Sequence, residues 1–88
     1  MNKQTEKLEN NGIVDEDIVI MDDDMYVDAL VGVTNDSRAV YDQDLVIEAL
    51  VKNDNMTYEE ALEYFEYNIL RALPYLGQHA PVIFERLE

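Results

Sequence analysis

Apolar residues recur at Tyr58, Ala61, Leu62, Phe65, Ile69, Ala72 and Leu73, in the steps of three and four that line one face of a helix. The spacing predicts a helix over 58–73. Thr57 stands three residues before Glu60, so the hydroxyl of one and the carboxylate of the other can close a capping box at its start. Glu59 and Glu60 also place negative charge in the first turn, where the helix dipole favours it. Pro74, which has no amide to donate, is expected to end the helix. A second stripe, Leu45, Val46, Ala49 and Leu50, widened by Ile47 and Val51, predicts a helix over 43–53. Asp42 is placed to cap it, and Tyr41 to pack on Val46. The short link between the two helices implies an antiparallel pair.

Two β-rich runs precede them. Leu30 to Thr34 and Arg38 to Tyr41 read as the strands of a hairpin, because Asn35, Asp36 and Ser37 between them suit a tight turn. Gly32 in mid-strand suggests a bulge or a close backbone approach. After Pro74, Gly77 permits a left-handed turn, and Ala80 to Phe84 reads as a short edge strand with Pro81 at its start. Ile18 to Met21 is either an edge strand guarded by acids or an extended segment lying on the core. The polar stretch 1–12 shows no apolar periodicity and is expected to be a flexible arm, with at most a transient helical turn, ahead of a single domain over 13–88. The expected fold class is α+β. A small antiparallel sheet, made of the hairpin (about 29–41) and the C-terminal strand (about 81–85), packs against an antiparallel helix pair (about 43–53 and 58–73).

Charge changes this picture more than size does. Twenty acids face six bases, a formal net charge of −14. Between Asp15 and Glu66 stand sixteen acids against only Arg38 and Lys52, so the charge belongs to the middle of the chain and not to a tail. Direct binding to nucleic acid or to an anionic membrane surface is disfavoured, since both need a cationic footprint. A basic partner is favoured, in affinity and in rate of encounter. No apolar run reaches the length of a membrane span, and the start of the chain lacks a signal-peptide core. Cysteine is absent, which removes disulfides, thiolate nucleophiles and Cys-based zinc sites. The chain is expected to be soluble and cytoplasmic.

No catalytic constellation stands out. Ser37, the sole serine, lies in the hairpin turn, and His79, the sole histidine, follows a different element. Nothing in the sequence joins them as nucleophile and base. His79 reads as a hydrogen-bonding turn residue. Among twenty acids some must be close, but no apolar setting marks one pair as tuned. The run Asp22, Asp23 and Asp24, with Asp28 beyond it, has the oxygen ligands calcium prefers but not the spacing of a calcium loop: the sixth position is Val27 and the twelfth Val33. Neither an enzyme, a metal site nor a cofactor is expected. The candidate partner-binding residues are Asp22, Asp23, Asp24 and Asp28, with Glu59, Glu63 and Glu66 on the polar face of the long helix and Tyr64 and Tyr67 at its shoulders. Glu59 and Glu63 repel each other at i, i+4, at a cost of roughly 0.2–0.5 kcal/mol, and this face reads either as a solvated acidic face or as one that meets a partner.

The segments GVTNDSRAVYDQDLVIEALV and MTYEEALEYFEYNILRALPYLGQHAPVIF resemble small acidic proteins carried by phages, prophages and other mobile elements of Gram-positive bacteria, a group with no assigned mechanism. The tail YNILRALPYLGQHAPVIF and the run Arg38 to Asp42 are the landmarks. The resemblance spans about Asp28 to Phe84 and leaves the acids of 15–24 outside. In size and charge alone the chain is also similar to DNA-mimic and anti-CRISPR inhibitors, which implies a basic nucleic-acid-binding partner such as a CRISPR effector or another defence nuclease. The alternative is a small structural or regulatory domain that forms a homodimer, or binds a partner, through an apolar and tyrosine-rich surface.

Overall fold

The computed structural model describes residues 2–87, so Met1 and Glu88 lie outside the described residues. Its architecture is α+β. Helix α1 (Lys3–Asn10) leads through an extended stretch and a 3₁₀ turn (Asp24–Ala29) into strands β1 (Leu30–Val33) and β2 (Ala39–Asp42). Helices α2 (Gln43–Asn53) and α3 (Tyr58–Tyr64) follow, then strand β3 (Val82–Phe84).

The hairpin forms where the alternation of the sequence placed it. Thr34 N donates to Arg38 O at 2.8 Å, and Ser37 takes a positive φ of 62° to close the turn. The register shifts between Leu30 and Gly32, so the glycine does mark a bulge. The C-terminal strand departs from expectation. It lies beside β2 in the order β1-β2-β3 but runs parallel to it, so the sheet is mixed and not purely antiparallel. The cause is the connection: the helical stretch between β2 and β3 carries the chain back to the end from which β2 began, which a parallel pair requires.

The long helix is also not one uniform element. After α3 the winding widens into a π-helical segment, Phe65–Leu70, and then tightens into a 3₁₀ turn, Leu73–Leu76. Pro74 offers no amide to the carbonyl of Leu70, and the chain shortens its bonds in response. Ala72 N donates to Ile69 O and Tyr75 N to Ala72 O, both at 3.1 Å. The predicted capping box at its start is present, with Glu60 N on Thr57 Oγ1 at 3.1 Å and Thr57 N on Glu60 Oε1 at 3.0 Å.

Residues 3–10, expected within a flexible arm, instead wind into α1 and dock. Asn2 caps the helix by accepting from Gln4 N at 2.7 Å. The Gln4 side chain is wholly buried: its Nε2 donates to Met21 O at 2.7 Å and to Asp23 O at 3.0 Å, while its Oε1 accepts from the Tyr41 hydroxyl. Lys7 Nζ reaches Val27 O at 2.9 Å, and Leu8 packs on the core. The anchor is polar, and for that reason apolar periodicity did not reveal it. Ile18 to Met21 forms no strand. It lies extended on the core, with Met21 N donating to the Tyr41 hydroxyl at 3.0 Å.

The core joins all these elements. Tyr41, Val46, Ile47, Leu50, Ala61 and Phe65 are buried at its centre, with Tyr26, Ala29 and Leu30 supplied by the 3₁₀ turn and β1. At about 1.5–3 kcal/mol for each large side chain removed from water, these residues supply the principal favourable term for holding helices to sheet. Asp42 is the buried acid of the set. It caps α2 through Asp44 N at 3.0 Å and is paired to Arg86 Nε at 2.8 Å.

Candidate functional site

The predicted surface residues fall on two elements. Asp22, Asp23, Asp24 and Asp28 are exposed along the segment that holds the first 3₁₀ turn. Two of them have local duties. Asp23 caps the turn by accepting from Met25 N at 3.0 Å, and Asp24 accepts from Lys3 N at 3.1 Å. Glu59, Glu63 and Glu66 are exposed on α3 and the π-helical segment, as are Tyr64 (39 %) and Tyr67 (55 %) on the same stretch. Tyr26, on the segment of the aspartates, is buried. Burial first, and then the neighbouring Tyr64, Asp23 and Asp54, hold its phenol well above the usual tyrosine range.

A shallow groove of about 420 Å³ runs along this helical end, lined by Met56, Glu60, Glu63, Tyr64, Tyr67 and Asn68. It unites three of the predicted residues, Glu63, Tyr64 and Tyr67. Glu59 and Glu66 do not line it, and the aspartates belong to the neighbouring element. Glu60, Met56 and Asn68 were not foreseen as parts of a surface. Glu60 read only as a cap, a role it does fill: the Thr57 amide and hydroxyl hold its carboxyl below the usual range. Arg71 was also missed. Its guanidinium lies over the Tyr67 ring, 4.5 Å from the centroid, and the i, i+4 spacing of the two residues was the available signal.

The distribution of bases decides whether the acidic surface survives folding. Lys7 is engaged by Val27 O, Arg38 Nε donates to Ala80 O at 2.8 Å, and Arg71 covers a tyrosine ring. Among the described residues the side-chain ion pairs are those of Arg86 with Asp42 and, at 4.0 Å, Asp44. None of the seven candidate acids is neutralised by them. No group of three or more potential metal ligands occurs among the described residues.

The hairpin turn brings together residues that the sequence kept apart. His79 Nδ1 lies 3.1 Å from Ser37 O, and Ser37 Oγ donates to Asp15 Oδ2 at 2.5 Å. Serine, histidine and aspartate thus meet, contrary to the expectation that nothing joins Ser37 to His79. The geometry is not that of an activated nucleophile, which needs the hydroxyl to donate to the imidazole. Here it donates to the aspartate, and the histidine holds the main chain. The contact serves the fold by tying the turn before β3 to the hairpin. The Ser37 hydroxyl and the Asp17 amide lower the Asp15 carboxyl from its ordinary value, and the Thr34 hydroxyl does the same to Asp36.

Apolar side chains are exposed as well. Tyr75 (88 %), Leu76 and Leu70 surround the second 3₁₀ turn. No helix among the described residues is long and apolar enough to cross a membrane. No protein-family model, curated protein or solved structure matches the chain.

Proposed function

We propose that this chain is a non-enzymatic, acidic interaction protein that binds a basic, nucleic-acid-handling protein by offering carboxylates in place of phosphates. One observation carries it. Of six bases, four are held by main-chain carbonyls, by a tyrosine ring, or by Asp42 and Asp44. The acids of 22–28 and of 59–66 therefore keep their charge facing outward. Such a field attracts a cationic groove built for phosphate and speeds its capture. CRISPR effectors and other defence nucleases belong to this class of partner, which the likeness in size and charge to DNA-mimic and anti-CRISPR inhibitors implies.

A host lysate passed over the immobilised protein at rising salt provides the test. Retained proteins are expected to be basic, to elute as salt screens the charges, and to be displaced by duplex DNA. Replacing Asp22, Asp28 and Glu66 together with Lys is expected to weaken retention about 100-fold, since like charges then face each other across the interface. Retention that is indifferent to salt and to this reversal would overturn the proposal.

The exposed Tyr75, Leu76 and Leu70 favour a second reading, a homodimer or partner contact through an apolar surface. Light scattering separates the two: a salt-independent dimer supports the second, and a monomer at all salt concentrations supports the first.

A further inference from the structure

We propose that the groove between Met56 and Asn68 seats an arginine side chain of the basic partner, its guanidinium resting on the Tyr64 and Tyr67 rings and paired to Glu63. This rests on the reading above and names the chemistry of one contact within it. The lining supplies each part that a guanidinium uses: two half-exposed aromatic rings, a thioether for the apolar stem, an amide and two carboxylates. The carboxylates are not equivalent. Glu60 is committed to the Thr57 amide, whereas Glu63 pairs with no base among the described residues. Arg71 already covers one face of the Tyr67 ring from within the same chain, so the incoming guanidinium stacks on Tyr64 and on the other face of Tyr67.

Other occupants fit less well. A metal ion would find one uncommitted carboxylate where calcium needs six to eight oxygens. Nucleic acid is repelled by the net charge, and a second copy of the chain carries the same −14. Lysine could enter, but its ammonium is a compact, strongly hydrated point charge, without the flat face that stacks on a ring or the fork that grips a carboxylate.

The test titrates the intact protein with hexa-arginine and hexa-lysine peptides at low salt, following affinity by fluorescence anisotropy and the tyrosine rings by NMR. Hexa-arginine is expected to bind several-fold more tightly and to shift the Tyr64 and Tyr67 ring resonances. The variant carrying Tyr64→Ala and Tyr67→Ala is expected to lose about tenfold for hexa-arginine and to bind the two peptides alike. Glu63→Gln, which keeps the shape and removes the charge, is expected to weaken both peptides. Equal affinities in the native protein, or shifts confined to residues 22–28, overturn the groove assignment. If binding is then still lost on reversing Asp22 and Asp28 to Lys, the acidic-partner reading stands without the groove. Absence of binding by either peptide overturns both. The ring shifts are read in the native protein, so the test does not depend on the variants folding.

Discussion

Tyr41 and Tyr67 carry the same side chain into opposite circumstances. The Tyr41 hydroxyl is shut inside the protein, donating to Gln4 and accepting from Met21 N. Burial pushes its phenol up to about 12, against a smaller opposing effect of the Met21 amide. No buried side-chain nitrogen or oxygen is left without a partner among the described residues. The region around Tyr67 is built the other way. Its tyrosines stand half in water, Glu63 faces outward without a base, and the helix changes winding beneath them. Polar groups that find partners inside the chain hold the fold. Those left facing outward cost the fold little and are free for another molecule. A π-helical stretch at such a place agrees with the frequent use of this winding at functional sites.

The sharpest break in the contrast comes from the closed region. Gln4→Ala removes the donor for two carbonyls and the acceptor for Tyr41 at once, and is expected to cost about 2–4 kcal/mol in chemical denaturation. A cost below about 1 kcal/mol would mean that α1 is not tied to the core and that residues 3–10 behave as the flexible arm the pattern suggested.

Alkaline pH probes the same region more gently. The folded pKa of Tyr41 is raised above its unfolded value near 10, so its contribution to stability is complete below pH 10 and is lost as pH rises toward 12. The exposed tyrosines are expected to ionise first in an ultraviolet titration, with Tyr41 following only as the fold loosens. Ionisation of all six tyrosines in one step near pH 10, with the fold intact, would contradict the buried network.

The smallest effect belongs to the open region. Changing Glu63 to Lys is expected to leave thermal stability within about 0.5 kcal/mol, with a slight gain from removing the Glu59–Glu63 repulsion. A large loss would show that the acid is structural after all.

How much was legible depended on whether the signal was local. The Thr57–Glu60 box, the Asp42 cap, the turn at Asn35 to Ser37 and the bulge at Gly32 each arise within a few residues, and the sequence foretold them. α1 escaped notice because its anchor is Gln4, a polar residue whose partners lie 17 to 37 positions away. The Arg86–Asp42 pair and the meeting of Asp15, Ser37 and His79 were hidden for the same reason.

The amino-acid order by itself determined the net charge of −14, the apolar stripes that choose helix or strand, and the caps and turns that bound them. The stripes, caps and turns act over one or two helical turns, within reach of neighbouring residues, and the charge follows from composition alone. Only the tertiary structure decided that β3 runs parallel to β2, that Gln4 meets Tyr41, and that the bases turn to carbonyls and a ring. Those outcomes depend on which distant groups the closing chain brings within a few ångströms, and hydrophobic burial, which drives the closure, has no direction of its own.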